Sequence, residues 1–228
     1  MPAPRISVII PALNEAAQIA ETIAAARAAG FDEIIVVDGG SRDGTAAAAA
    51  AADLVLGSAP GRAIQQNCGA AAASGDVLFF LHADCRPSPR SGRLMRHVLA
   101  DDAGFVAGCF TQRIAADGAV YRWLEWGNLQ RVLWFQMAYG DQGLFVRRDM
   151  FRVVGGFPDW PIMEDVDFLR NLRGRGRFVI LGCPLTVSAR RWRHRGVVRQ
   201  TLRNWALLFL FRWGVSPARL ARYYAHVR

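Results

Sequence analysis

The sequence predicts an α/β fold in which a mostly parallel central sheet is flanked by helices. Three observations support this prediction. From residue 6 to about 110, short β-branched runs alternate with stretches of helical periodicity, which is typical of βαβ units. The 228 residues are 52% hydrophobic and 21% charged, which is a globular composition, and this length suits one domain with an appendage. We find no internal repeat and no linker typical of a domain boundary.

The first half of the chain supplies four predicted strands and the helices between them. The strands are residues 6–10, 33–37, 54–56 and 77–81. The first helix is expected over 15–29, with Asn14 as its N-cap. Thr45 is expected to cap a second helix over the alanine run 46–52, because alanine is the best helix former. A third helix is expected over roughly 62–73.

The second half is less regular. The remaining predicted elements are a strand near 105–110, a helix from 164 to about 174 and a strand at 178–181. From residue 196 the pattern predicts one or two amphipathic helices, interrupted at 214–217. We therefore expect a globular unit over 1–195 and a basic helical tail over 196–228.

The charge is unevenly distributed and comes entirely from arginine. The chain has 28 arginines, no lysine and a formal net charge of +9. Residues 1–167 hold 14 arginines and 19 acids, whereas residues 168–228 hold 14 arginines and no acid. The lack of lysine excludes P-loop, Schiff-base and protein-kinase chemistry. The net charge taken alone suggests nucleic acid as a partner, but the acidic first part argues against that as the main role, so no nucleic-acid partner is expected.

The cysteines and apolar runs bear on the expected location. None of the four cysteines forms a CxxC pair, which argues against a zinc ribbon or a redox motif. The N-terminal apolar run lacks the features of a signal peptide. The late apolar run 205–211 is far shorter than the roughly 20 residues that span a bilayer. The expected location is the cytoplasm, with a peripheral contact at the inner face of the membrane left open.

Acidic residues follow three of the predicted strands. The strand ends read Pro11-Ala-Leu-Asn-Glu15, Asp38-Gly-Gly-Ser-Arg-Asp43 and His82-Ala-Asp84. Ligands of an open α/β sheet bind outside the carboxyl ends of the strands. A carboxylate cluster at that edge is costly unless it binds a cation or a hydroxyl-rich ligand, so we expect such a site, with Asp43 the best candidate for a mere helix cap.

The order of these motifs resembles the inverting family 2 glycosyltransferases, which have the GT-A (Rossmann-like) fold. The matching pieces are Val8-Ile-Ile-Pro-Ala-Leu-Asn-Glu15, Val37-Asp-Gly-Gly-Ser-Arg-Asp-Gly-Thr45, Gly61-Arg-Ala-Ile-Gln-Gln-Asn-Cys-Gly69, Leu81-His-Ala-Asp84, and Met163-Glu-Asp165 after Gly155-Gly-Phe157. They extend from residue 6 to about 170. The blocks 140–148 and 189–192 resemble a bacterial subgroup, the radical-SAM/selenodomain-associated transferases.

The resemblance implies a metal-dependent transfer of a sugar from a nucleotide-diphosphate sugar, UDP- or GDP-linked, to an acceptor hydroxyl that the sequence does not identify. It implies Asp165 as general base with Glu164 beside it, and Mg²⁺ or Mn²⁺ at Asp84. His194 is a further candidate metal ligand, against a solvated or stacked role. The implied nucleotide-sugar contacts are Pro11, Ala12, Glu15, Asp38, Arg62, Asn67, His82, Asp141, Gln142, Arg190, Arg191 and Trp192.

Two features depart from the family pattern. His82 stands where the first acid of the metal motif is common, and Cys85 where a third acid often occurs. His82 is therefore open between a ribose contact, a metal ligand and a structural hydrogen bond. The nucleotide half is expected over about 1–110 and the acceptor half over about 111–195.

Two alternatives and three roles for the tail stay open. A sugar-phosphate nucleotidyltransferase shares the sheet and the acidic site, but it carries a glycine-rich first loop and a lysine that this chain lacks. An arginine-rich membrane- or nucleic-acid-binding module is the alternative from another class. Just before the tail, Arg190, Arg191 and Trp192 resemble a basic-aromatic motif of related transferases, which implies that they close over the donor. Residues 200–213 either lie on an anionic membrane or pack on the globular unit.

Overall fold

The computed structural model describes residues 3–101, 104–190, 192 and 196–223. Within these ranges the strands are β1 (Ile6–Ala12), β2 (Glu33–Asp38), β3 (Leu54–Gly57), β4 (Val77–Phe80), β5 (Cys85–Arg86), β6 (Phe105–Ile114), β7 (Leu144–Arg147) and β8 (Arg177–Val187). The helices are α1 (Ala16–Ala28), α2 (Thr45–Ala48), α3 (Arg62–Ala72), α4 (Ser91–Asp101), α5 (Ala119–Phe135), α6 (Arg148–Val154), α7 (Glu164–Leu172), α8 (Val197–Arg212) and α9 (Pro217–Tyr223).

The strands form one eight-stranded sheet in the order β3-β2-β1-β4-β7-β6-β8-β5. The first four strands in this order are parallel, as the alternating pattern predicts. β7 then pairs antiparallel with both β4 and β6, while β8 runs parallel to β6 and antiparallel to β5. The α/β fold with a mostly parallel sheet is confirmed, and the antiparallel β7 is an addition that periodicity did not predict.

A hydrophobic core lies on each face of the sheet. Successive strand residues point to opposite faces, so Val8 and Ile10 join one core and Ile9 joins the other. Helix α1 covers the first face through Ile19 and Ile23, which are fully buried. On the second face, helices α3, α6 and α7 pack beside one another. Both faces of the inner strands β1, β2 and β4 are therefore covered, which leaves the strand ends accessible to ligands.

Three details of the first half differ from the sequence prediction, and one of them is that Gly44, rather than Thr45, is the N-cap of the helix on the alanine run. Asn14 is not the N-cap of α1: Glu15 holds that position, and Asn14 has a left-handed backbone (φ 54°). The Asn14 amide oxygen instead accepts a hydrogen bond from the Arg42 N–H at 3.0 Å, because the loop after β2 folds against it. The helix on the alanine run ends at Ala48, since the chain must turn back before Asp53 to pair β3 with β2.

The tail forms the two amphipathic helices that the sequence predicts. Leu207 of α8 and Leu220 of α9 are buried together with Ile162, which lies just before α7. Phe211 packs edge-on against Trp160, with ring centroids 5.9 Å apart. One face of the tail therefore packs on the globular unit, as one of the alternatives for it required. Among the described residues, no helix has the length and apolar character needed to cross a membrane.

Two helical glycines provide a test of this packing. A Cβ added to Gly69 of α3 would lie 2.5 Å from Ile9 Cγ2, whereas one added to Gly127 of α5 would meet no atom within 4 Å. We expect Gly69→Ala to lower the free energy of unfolding by about 1–3 kcal/mol through overpacking. Gly127→Ala should raise it by about 0.5–1 kcal/mol, because alanine costs less backbone entropy. Urea denaturation of both variants measures the difference, and equal effects would contradict the α3–β1 packing.

Candidate active site

The carboxyl ends of β1 and β2 are joined by backbone and side-chain hydrogen bonds. The Gly39 N–H donates to the Ala12 carbonyl at 2.9 Å. The buried Gln65 side chain of α3 donates from Nε2 to the carbonyls of Ala12 (2.7 Å) and Val37 (2.8 Å). Gln65 thus fixes the edge of the sheet where Asp38 emerges. Sequence reasoning missed this residue, because a glutamine within a helix carries no signal of its own.

Glu15 and Asp38 lie at this edge, next to the half-buried Pro11. Asp38 accepts hydrogen bonds from the backbone N–H of Ser41 (3.1 Å) and from its hydroxyl. Glu15 forms an ion pair with Arg190, whose Nη2 lies 3.3 Å from Oε2. Arg190 is therefore brought from beyond β8 to the end of β1, and its guanidinium remains about 39% exposed.

Asp43 has a structural role. Its carboxylate accepts hydrogen bonds from the N–H of Thr45 and the N–H of Ala16, both at 3.1 Å. The hydrogen bond from the Thr45 hydroxyl holds the pKa of Asp43 below its usual range. Asp43 thus ties the loop after β2 to the start of α1, whereas the N-cap of α2, the helix that Asp43 was expected to cap, is Gly44.

A possible metal site follows β4. The ligand atoms of His82, Asp84 and Cys85 all lie within 4.8 Å of one another. The loop is anchored on both sides, because the Thr22 hydroxyl donates to the Ala83 carbonyl (2.6 Å) and Cys85 pairs with β8. Carboxylate and imidazole donors fit Mn²⁺, and the carboxylate also suits Mg²⁺. His194, the other candidate ligand, lies outside the described residues.

Helix α7 begins with two buried carboxylates. Glu164 is 1% exposed and Asp165 9% exposed. The Arg62 Nη1 atom lies 3.1 Å from Glu164 Oε1, which forms an ion pair between the first residues of α3 and α7. Within the described part of the chain, neither Glu164 oxygen accepts a hydrogen bond of good geometry. The Glu164 carboxylate is therefore charge-paired but keeps acceptor capacity.

Asp165 is held by the backbone. Its Oδ2 accepts a hydrogen bond from the Gly140 N–H and its Oδ1 one from the Val166 N–H, each at 2.8 Å. Burial raises the pKa of Asp165 to about 6, and the negative charge of Glu164 adds to this effect. The Arg62 guanidinium and the two N–H donors act in the opposite direction. The result is a fixed carboxylate that is more basic than an ordinary aspartate.

Gly140 connects Asp165 to the possible metal site. Besides its hydrogen bond to Asp165, it lies so close to the His82 ring that an added Cβ would be 2.5 Å from Nε2. Only glycine fits between the two side chains without displacing one of them. The sequence did not single out Gly140, although it directly precedes Asp141.

The two residues after Gly140 have different surroundings. Gln142 is buried, and its Oε1 accepts hydrogen bonds from Arg131 Nη2 (2.7 Å) and the Tyr139 N–H (3.2 Å). Asp141 is only half-buried. Burial raises the pKa of Tyr139, and the charges of Asp165 and Asp141 contribute to the rise. Asp141 and Asp165 are therefore near the same tyrosine, while Gln142 fixes the turn.

Asn67 and Trp192, which were expected to contact the nucleotide sugar, instead make contacts within the protein. The Asn67 amide both donates to the Phe157 carbonyl (2.8 Å) and accepts from the Phe157 N–H (3.0 Å), so it anchors the loop before α7. Phe157 in turn packs on Phe168 of α7, with ring centroids 4.5 Å apart. Trp192 packs against the first hydrophobic core. Arg191 lies outside the described residues.

The sheet order and the acidic strand ends describe a GT-A glycosyltransferase architecture. The model of the family described as glycosyl transferase family 2 matches residues 7–154, which is more than half of the chain. The chain belongs to this family. Its narrower resemblance to the radical-SAM/selenodomain-associated subgroup stays a prediction.

A curated relative supports the family assignment. The chain is 30% identical over 172 residues to glycosyltransferase AglE of Haloferax volcanii, an alignment that covers 68% of this chain. The same alignment covers 57% of the relative, so the chain spans little more than half of that protein's length.

Solved structures share the fold. The mannosyltransferase PcManGT of Pyrobaculum calidifontis, in complex with GDP-Man and Mn²⁺, has a TM-score of 0.68 at 21% identity and covers 94% of this chain and 66% of its own. Glucosyl-3-phosphoglycerate synthase of Mycobacterium tuberculosis, in complex with Mn²⁺ and UDP, has a TM-score of 0.60 at 22% identity. The match covers 79% of this chain and 70% of the synthase chain. TarS of S. aureus, in complex with UDP, has a TM-score of 0.66 at 15% identity. The match covers 81% of this chain and 60% of the TarS chain. At these identities the likeness establishes the fold.

Proposed function

We propose that this chain is a metal-dependent inverting glycosyltransferase that moves a sugar from a UDP- or GDP-linked donor to an acceptor hydroxyl. The buried Asp165 carboxylate carries the proposal, since it is fixed next to the His82–Asp84 cluster by way of Gly140. The nucleotides and metals bound by the related structures support the same class of donor and cofactor. The family match favours glycosyl transfer over nucleotidyl transfer.

The donor nucleotide would lie across the ends of β1 and β2. Pro11 and Ala12 would flank the base and ribose, and Asp38 would accept hydrogen bonds from nucleoside groups. Arg190, already held by Glu15 and partly exposed, would face the diphosphate, because a guanidinium suits phosphate oxygens. Arg191 and Trp192 would extend that closure. Phosphate binding at Arg190 would compete with its ion pair to Glu15.

A divalent cation, Mn²⁺ or Mg²⁺, would be held by Asp84 with His82 beside it, and His194 remains a proposed further ligand. When bound, the cation would neutralise charge on the departing diphosphate. Cys85 lies within reach of the same position, but its soft sulfur is a poor ligand for Mg²⁺ or Mn²⁺.

Asp165 would act as the general base. It would take the proton of the acceptor hydroxyl while that oxygen attacks the anomeric carbon, and the bond from that carbon to the diphosphate would break with inversion. With a pKa of about 6, the carboxylate is roughly 90% ionised at pH 7 and is still more basic than an exposed aspartate. Two backbone donors keep it in one orientation.

The neighbours of Asp165 would position the substrates. Glu164 keeps acceptor capacity and would bind a hydroxyl of the donor sugar or of the acceptor, while Arg62 balances its charge. Asp141 would lie near the donor sugar. Asn67 and Gln142 would act indirectly, by holding the loop before α7 and the turn at Gly140.

A peripheral contact with an anionic membrane is a second proposal for this chain. It is supported by the charge of the last part of the chain, since residues 168–228 hold 14 arginines and no acid. Such a region is attracted to the negative surface of a bilayer. A location at the inner face of the membrane would follow from this contact.

The first prediction of the mechanism concerns Asp165→Asn. We expect this variant to bind UDP or GDP with Mn²⁺ as the wild type does, and to lose roughly 10² to 10⁴ in turnover. A donor panel monitored by nucleoside-diphosphate release measures turnover, and calorimetry measures binding. Asp167→Asn, which removes another buried carboxylate from the first turn of α7, should keep turnover within about threefold. Full activity of Asp165→Asn would exclude Asp165 as the base.

The second prediction concerns the cation. Asp84→Asn should weaken the Mn²⁺-dependent binding of UDP or GDP by about tenfold or more, because the firmest oxygen ligand is lost. EDTA should have the same effect on the wild type. Asp149→Asn removes an exposed acid from α6 and should leave binding unchanged. Nucleotide binding that is insensitive to both EDTA and Asp84→Asn would rule out this metal site.

A further inference from the structure

Helix α8 has an exposed apolar face. Five of its exposed hydrophobic residues recur at intervals of four, three, four and four, so these five lie on one side of the helix and its C-cap residue. They are Val198, Leu202, Trp205, Phe209 and Trp213, and their exposure ranges from 57% to 76%. We call these five residues the α8 stripe. An unpartnered apolar surface of this kind marks an interaction site.

The opposite face of α8 holds the helix on the protein. Leu207 is 4% exposed and packs with Leu220 of α9 and with Ile162. Phe211, on the same side, contacts Trp160. The helix is therefore docked by one face, and the α8 stripe points away from the globular unit. Packing within this chain explains why Leu207 is apolar, but it does not explain the exposed apolar residues of the α8 stripe.

The charges around the α8 stripe are of one sign. Arg199 and Arg212 are exposed beside it, and α9 adds the exposed Arg219 and Arg222. Within the described part of the chain, none of these four arginines forms an ion pair with an acid, and residues 168–228 contain no Asp or Glu. The partner that complements this surface is therefore both apolar and anionic.

A second aromatic surface on α5 lacks this charge pattern. Trp123, Trp126 and Trp134 are also exposed there. However, α5 contains Glu125, whose carboxylate forms ion pairs with Arg122 (2.9 Å) and Arg113 (3.7 Å). Arg113 and Arg122 near α5 thus share an acidic partner, whereas Arg199, Arg212, Arg219 and Arg222 have none among the described residues.

We propose that the α8 stripe is the surface by which this chain lies on an anionic lipid bilayer. Trp205, Phe209 and their neighbours enter the interfacial layer, while Arg199 and Arg212 bind lipid phosphates, as in other interfacial helices. This inference rests on the proposed peripheral membrane contact and names its surface. Because α8 packs on Ile162, two residues before Glu164, the bilayer would lie on the side of the protein that carries the loop before the base.

Vesicle co-sedimentation of the full chain tests the proposal. The probes are vesicles of phosphatidylcholine alone and of phosphatidylcholine with about 30% phosphatidylglycerol. The wild type should bind the anionic vesicles and lose that binding in high salt. Trp205→Ala with Phe209→Ala should weaken binding by about tenfold or more. Arg199→Gln with Arg212→Gln should weaken binding to anionic vesicles by about fivefold per arginine and leave binding to neutral vesicles unchanged.

The matched control is Trp123→Ala with Trp126→Ala, which removes equally exposed aromatic groups from α5 and should change binding less than about twofold. All variants change exposed side chains, so unaltered thermal unfolding verifies that each is folded. If the α5 variant lost binding and the α8 variant did not, the membrane contact would stand and the α8 assignment would be wrong. If the wild type bound no vesicles, the proposed peripheral contact with a membrane would itself be wrong. If the stripe variants instead turned a dimer into a monomer, a second copy of the chain would be its occupant and the proposal would be overturned.

Discussion

Asp165 lies almost out of contact with water, yet both of its oxygens accept backbone hydrogen bonds, from Gly140 and Val166. Charging a carboxylate in such a place costs free energy, and the adjacent Glu164 increases the cost. The Arg62 guanidinium offsets part of it across the space between α3 and α7. This balance produces a base that is ionised at neutral pH and still accepts a proton readily, which is the property that the proposed transfer requires.

Several otherwise unrelated elements serve to maintain that balance. Helix α7 is placed by the packing of Phe168 on Phe157, and Asn67 fixes the backbone at Phe157 from α3. The turn at Gly140 is held by the Gln142–Arg131 hydrogen bond and brings the N–H donor to Asp165. A change in any of these contacts would alter the solvation of Asp165, the proposed base, without touching a substrate.

The parts of this arrangement that depend on local sequence were predictable. Periodicity predicted the strands of the parallel half, and it also placed Glu164 and Asp165 at the start of a helix. The parts that depend on tertiary placement were not predictable. β7 is a four-residue antiparallel strand in an irregular region, and Gly140 and Gln65 acquire their roles only when β7 and α3 meet the other strands. The alanine run shows the converse, because strand pairing at β3 ended a helix that propensity favoured.

The raised pKa of Asp165 is measurable without any substrate. A carboxylate whose pKa is near 6 when folded and 3.8 when unfolded stabilises the fold below about pH 3.8, and this contribution is lost as the pH rises through 6. The Asp165→Asn variant lacks this titration. Urea denaturation should therefore show the wild type losing about 1 kcal/mol relative to the variant between pH 5 and pH 7.5. A difference that stays constant over this range, or that changes in the opposite direction, would contradict a desolvated base at Asp165.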